Sequence, residues 1–237
     1  MGETRMKPKH LKPEMALAVL EDRKKQTRMP VPGLEGEWIY SGPNCNGDHL
    51  FVATDWQQRK IDVSDCTVIR KPKYKIGDVL YIRERARLID VKNGGEFCED
   101  STVKWLVRYK YEADGIETDW IYKPRRIKHH EVGTCCSNGC FRELARIFVK
   151  ITGVRVEWSE DMTEADCIAE GVRKVSKDAE IYKYCIYDHG DYSSVPWCDM
   201  PRSPRPVFDK MWDSCYPKLK GKPHWRFVFD FKRIAKP

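Results

Sequence analysis

The sequence predicts a mixed α+β fold, and three observations carry that reading. Runs rich in β-branched and aromatic residues recur at 79–84, 104–111, 147–158 and 225–234, as strands do. Three short segments, 13–22, 163–170 and 204–216, carry helical spacing with start and stop signals. Glycine and proline break much of the remainder into loops. Strands interleaved with helices give a mixed architecture, and the residue pattern alone does not choose a barrel over an open sheet.

The first helix rests on Met15, Ala18, Val19 and Asp22 at near-helical spacing, with Pro13 and Glu14 suited to a first turn. It is expected to close on Asp22-Arg23-Lys24-Lys25-Gln26-Thr27-Arg28. Basic residues in a last turn complement the helix dipole and ordinarily sit in water. The alternative is that the segment delivers Lys24 and Thr27, three residues apart, into one pocket as an activated nucleophile. Residues 29–48 contain Pro30, Pro32, Gly33, Gly36, Gly42, Pro43 and Gly47, so a loop is expected there, a lid or an insertion.

Residues 73–78 form a turn before the strand at 79–84, and Gly94-Gly95 should turn the chain before the strand at 104–111. In the second helix Thr163 caps, Asp166 completes a box-like start and Gly171 ends it. In the third, Pro206 lies near the first turn, and Val207, Met211 and Trp212 make an apolar stripe that reads as core. Trp225, Phe227, Phe229 and Phe231 alternate along the last strand, burying one face, with stacking on bases as the lesser alternative.

At 237 residues, 41% hydrophobic and 11% aromatic, the chain suffices for one domain spanning 1–237, with insertions near 29–70 and 176–203. No run reaches membrane-spanning length and the N-terminus lacks a signal-peptide core, so a soluble cytoplasmic protein with no membrane contact is expected. The net charge of +7 is concentrated. Residues 202–237 hold ten Lys or Arg against three Asp, a difference equal to the whole excess, whereas 157–170 hold six carboxylates and no base. The basic stretch is either a solvated face or a phosphate-facing surface built on Lys218, Lys220, Lys222 and Arg226.

Ten cysteines in a chain read as intracellular are expected to stay reduced. Cys136 and Cys140 have the spacing of paired zinc ligands, beside Cys135, with His129, His130 and Cys98 as further donors. No second closely spaced pair exists, so free cysteines are expected, with no metal and no cofactor.

The Asp22 to Arg28 segment resembles the GRKTQTRR signature of ASCH domains, barrel-like relatives of PUA RNA-binding domains. Later motifs come in order. Gly77-Asp78-Val79-Leu80-Tyr81-Ile82-Arg83-Glu84 is similar to the family's GDxLWVRE strand, and Val107-Arg108-Tyr109-Lys110-Tyr111-Glu112-Ala113-Asp114-Gly115 resembles its hairpin. Residues 151–157, 163–172, 208–212 and 225–231 resemble its closing strand, helix, terminal helix and last strand. Asp22 replaces the family's glycine before the Arg-Lys pair, and Ala86 replaces a tryptophan.

The resemblance implies a PUA-like (ASCH) β-barrel of the phage-associated type, with flanking helices and inserted loops, working in the host cytoplasm if phage-encoded. Relatives that hydrolyse N(4)-acetylcytidine use a Lys, a Thr three residues on and a later Glu, which fall here on Lys24, Thr27 and Glu170. Others bind RNA without catalysis. The implied partner is therefore RNA or a modified nucleoside. In the amidohydrolase reading Thr27 Oγ, or a water beside it, attacks the acyl carbon, Lys24 is the base, and Glu170 binds or protonates the departing nitrogen. For this the Lys24 pKa must fall from about 10.4 toward 7, on the order of 4 kcal/mol, which takes burial or nearby cations.

Arg23, Lys25 and Arg28 are such cations, and a barrel mouth would bury Lys24 partly; Arg23 and Arg28 count, with Arg83 and Glu84, as substrate-binding candidates there. Glu84 is either ion-paired to a neighbouring arginine or an acceptor for a base edge, and Arg83 would hold a phosphate. Trp38, Trp56, Trp197 and Tyr192 lie in loop-like regions as stacking candidates.

Overall fold

The computed structural model describes residues 6–34, 38–53, 67–97, 103–123, 131–136, 140–176, 180–186 and 196–237. Among them, in chain order, run β1 (Lys7–His10), α1 (Pro13–Leu20), β2 (Gln26–Pro30), β3 (Trp38–Pro43), β4 (His49–Ala53), β5 (Thr67–Arg70), β6 (Val79–Arg83), β7 (Ala86–Phe97), β8 (Val103–Tyr111) and β9 (Ile121–Tyr122). Next come β10 (Phe148–Trp158), α2 (Glu164–Ala169), β11 (Arg173–Ser176), β12 (Tyr182–Cys185), α3 (Arg205–Cys215) and β13 (Trp225–Ile234). The architecture is mixed α+β and mostly strand. The chain forms two compact units, one from 1–21, 79–149 and 233–237, the other from 22–78 and 150–232.

In the first unit β1 lies parallel to β6, with Lys7 opposite Leu80 and His10 opposite Arg83. β7, β8 and β9 form an antiparallel sheet. Val107, Tyr109 and Tyr111 alternate inward along β8 and pack with Leu88, Phe141, Leu144 and Phe148. Period-two burial of this kind leaves the intervening residues on the opposite face. The Tyr111 hydroxyl donates to the Leu144 carbonyl at 2.6 Å, so the buried phenol keeps a partner.

Gly94-Gly95 does not turn the chain: β7 runs on through both to Phe97. A Cβ at Gly94 would lie 2.5 Å from the Lys104 carbonyl oxygen, so glycine there lets two strands approach closely. The first helix also stops earlier than expected. α1 ends at Leu20 with no basic residue in its last turn, and Asp22 adopts φ 58°, the left-handed conformation that ends many helices.

In the second unit β10, β13 and β2 are successive neighbours. β13 pairs antiparallel with β2, Phe229 opposite Thr27 and Val228 opposite Arg28. One face of β13 presents the expected aromatics: Phe229 meets Tyr74 edge-on at 5.3 Å, and Phe227 meets His49 at the same distance. Arg226 and Val228 on the opposite face are buried as well, so the strand is covered on both sides.

The loop expected at 29–48 is interrupted by strand: its described residues include the end of β2 and all of β3, which pairs with β4, and β4 with β5, in an antiparallel sheet. Gly42, at φ 107°, sits at a register shift in β3, and Asn44 Oδ1 accepts from the backbone of Asn46 and Asp48 in the turn beyond. Of the glycines and prolines that argued for a loop, Gly42 marks a bulge and Gly47 the turn of a hairpin, and Gly36 lies outside the described residues. Trp38, read as a loop residue, belongs to β3.

Thr163 and Asp166 form the expected reciprocal cap of α2, and Gly171 comes after it at φ 109°. Phe208 and Trp212 of α3 are buried with Met162, Cys167, Val172 and Tyr184, while Val207 and Met211 pack at the margin. Trp197 stands in a single 3-10 turn; Trp56 and Tyr192 lie outside the described residues.

Candidate functional site

The left-handed turn at Asp22 redirects the chain from α1 into β2, and backbone hydrogen bonds fix the residues between them. Lys25 N donates to the Ala169 carbonyl and Phe231 N donates to the Lys25 carbonyl, tying the segment to the end of α2 and to β13. Lys24 is thereby carried against Glu170, the residue capping the C-terminus of α2. Its Nζ lies 2.5 Å from Glu170 Oε2 and donates at 2.8 Å to the Glu170 carbonyl. Lys24 is 3% exposed and Glu170 2%. This is far deeper than the partly covered mouth expected for Lys24.

Burial drives the Lys24 pKa below its ordinary value; Glu170 pulls it back up and Arg28 pushes it further down. The direction is the one a lysine base needs. Arg28 is the second cation on the same carboxylate, its Nη1 lying 3.1 Å from Glu170 Oε1. Arg28 also makes a two-pronged bond to Glu157, both contacts at 3.1 Å, and pairs with Asp166 at 2.9 Å. Although burial opposes its charge, Glu170, Glu157 and Asp166 together hold Arg28 above the usual arginine range.

Arg155 extends the array, linking Asp166 at 3.1 Å to both oxygens of Asp230 at 2.9 and 3.0 Å. Gly153 makes room for that carboxylate, since a Cβ there would lie 2.6 Å from Asp230 Oδ2. Sequence reasoning missed this network. Its signal was present, however: six carboxylates at 157–170 with no base among them, and Arg155 and Glu157 on one face of a strand.

The remaining candidates separate. Thr27 is buried in β2, where alternation turns its side chain to the face opposite Gln26 and Arg28, the face it shares with Phe229. Arg23 donates to the Gly171 carbonyl at 2.6 Å. Arg28, expected to bind substrate, directs its donors at carboxylates and at Gln26 instead.

Arg83 and Glu84 belong to the first unit. Arg83 Nε donates to the Cys140 carbonyl at 3.2 Å. Glu84 is fully buried and takes the ion-pair alternative: Arg146 bonds both its oxygens, at 2.8 and 3.0 Å, and reaches both oxygens of Asp114. Burial raises the Glu84 pKa against the opposing pull of Arg146.

Lys218, Lys220 and Lys222 are exposed around a 3-10 turn at Pro217–Leu219. Arg226 is not with them. It is 3% exposed, with its guanidinium 4.1 Å from the Trp212 ring centre, and burial foremost lowers its pKa to about 10. Its Nε donates to His224 Nε2 at 3.0 Å, which makes that ring nitrogen the unprotonated one and leaves Nδ1–H for the Lys222 carbonyl at 2.7 Å.

Cys140 is buried with its thiol 3.5 Å from the Ile82 carbonyl, and burial raises the Cys136 and Cys140 thiols to about 11 and about 12. No cluster with the makings of a metal site occurs among the described residues, and Cys98, His129 and His130 lie outside them. No helix among the described residues is long and apolar enough to cross a membrane. A search of family models, curated proteins and solved structures returned no match to this chain.

Proposed function

We propose that this chain is a PUA-like protein of the ASCH type whose Lys24–Glu170 pair hydrolyses the acyl amide of an N(4)-acylated cytidine. The observation carrying the reading is the direct buried contact of two residues 146 positions apart in sequence, singled out by their resemblance to catalytic positions. A second observation supports the resemblance itself. Asp22, where the ASCH signature has glycine, sits at φ 58°, a conformation that glycine adopts freely and aspartate tolerates.

The chemistry rests on the Lys24 proton. Burial lowers the Lys24 pKa, so the buried ammonium can yield its proton and act as a free amine. In that form Lys24 takes a proton from an attacking water and passes it to the nitrogen that departs, while Glu170 holds Lys24 in place. Water adds to the acyl carbon, the carbon–nitrogen bond breaks, and cytidine and a carboxylate leave. Thr27 is buried in β2 on the face shared with Phe229, opposite Arg28, so the attacking group assigned here is the water and not the Thr27 hydroxyl.

The test is turnover of N(4)-acetylcytidine, monitored by chromatography. Wild type should release cytidine, and Lys24→Arg should not, because a guanidinium keeps its proton. Wild-type rates in Lys24→Arg would remove the base role, and no turnover of any acylated nucleoside by wild type would remove the reading. A non-catalytic phosphate-binding reading rests on a separate observation, the exposure of Lys218, Lys220 and Lys222 without an ion pair among the described residues.

A further inference from the structure

The outward face of the β7–β8–β9 sheet combines aromatic rings with cations. Ile121 lies opposite Val107 and packs inward on the core, so its neighbours Trp120 and Tyr122 turn outward. Contacts bear this out. Lys92 Nζ stands 4.0 Å from the Trp120 ring centre, the Arg108 guanidinium 5.6 Å from the same ring, and Lys104 Nζ 5.7 Å from the Tyr122 ring. Tyr122 is 49% exposed. Two strand steps separate the rings, roughly 6.7 Å along the chain, enough for each to receive its own base.

We propose that this face binds single-stranded nucleic acid, with bases stacked on Trp120 and Tyr122 and phosphates held by Lys92 and Lys104. Three features support the assignment. Arg108 is paired with Glu117 at 2.6 Å, which leaves Lys92, Lys104 and Lys110 against Asp90, so the charge of the face complements a polyanion. Gly94 keeps the surface low beneath one ring, since a Cβ there would approach Tyr122 Cε1 to 3.2 Å. Lysine stems are flexible, so Lys92 can move from the half-buried Trp120 ring to a phosphate as a base takes its place. An acidic peptide would use the charges and leave the rings without a role. The proposal is independent of the Lys24 chemistry.

The experiment measures fluorescence anisotropy of a labelled twelve-nucleotide oligouridine with the full chain, at several salt concentrations. Changing Trp120 and Tyr122 together to Ala should weaken binding about tenfold or more, whereas changing both to Phe should keep most of it, because stacking needs a ring rather than its polar edge. Lys92→Gln with Lys104→Gln should reduce the salt slope by about 1.4, two phosphates' worth for a single strand. Melting temperatures close to wild type would show that the variants are folded. The proposal fails if the alanine pair binds as tightly as wild type, or if changing Lys218, Lys220 and Lys222 to Gln abolishes binding that the sheet variants leave intact. It fails equally if duplex or polyglutamate binds as well as the single strand, or if no binding occurs at low salt.

Discussion

Replacing Lys24 with methionine removes a charge from a side chain that is 2% exposed, while keeping an unbranched stem of similar length. Breaking a buried ion pair by deleting one partner typically costs about 3–5 kcal/mol, because the survivor is left charged in a poor solvent. Glu170 is not left alone here, since Arg28 remains 3.1 Å from its other oxygen. We therefore expect a smaller loss, about 2 kcal/mol, or roughly 4–8 °C in melting temperature for a chain of this size. A lysine at an exposed mouth would cost less than about 0.5 kcal/mol.

Glu170→Gln leaves Arg28 with Glu157 and Asp166, but leaves Lys24 with neutral acceptors alone, among them the backbone carbonyl at 2.8 Å. The two changes should consequently be non-additive by at least about 1 kcal/mol in a double-mutant cycle. Urea unfolding monitored by tryptophan fluorescence reads both numbers. A single-mutant loss within about 0.5 kcal/mol of zero, or additivity to that tolerance, would show that no coupled pair exists, and the chemistry proposed for the pair would go with it.

Gly153→Ala should force Asp230 aside and weaken its bond to Arg155, at a cost of about 1–2 kcal/mol in urea unfolding; in an Asp230→Ala background the same change should cost almost nothing. Acid should also act through His224. Burial, then Arg226, set its pKa below the usual 6.5, opposed by the Lys222 carbonyl, so the unfolded chain binds the extra proton first. The stabilisation is complete above about 6.5 and is lost as pH falls toward the depressed folded value. His10 and His49 are lowered too, so the measurable signature is a difference: His224→Gln should flatten the decline of stability below about pH 6.5, and an unchanged pH profile would contradict the tautomer assigned to that ring.

Legibility in the sequence tracked the range of the physics involved. β13 was readable to both ends because Trp225, Phe227, Phe229 and Phe231 alternate without interruption, and α2 because Thr163, Asp166 and Gly171 form a local cap. β3 was hidden because Gly42 and Pro43 are as much at home in a loop as in a bulge, and only pairing with β4 decides between them. Gly94-Gly95 failed for the same reason, a close approach to Lys104 that no local pattern reports. Lys24 and Glu170 were reached by resemblance, whereas the commitment of Arg28 to three carboxylates depends on contacts across more than 120 positions.

Those separations shape how the chain is made. During synthesis Lys24 leaves the ribosome 146 residues before Glu170, and Arg28 precedes Glu157 by 129. At about 5–20 residues per second, both cations wait roughly 6–30 s for any of these carboxylates. Until then β2 also lacks β13, its pairing strand, and remains an open edge with an uncompensated charge. That charge has a use in the interval, since a basic residue on an unpaired strand discourages strand-to-strand association with another nascent chain. Arg28, which in the finished protein steadies Glu170, would thus first serve to keep the chain unassociated while its other half is still being translated.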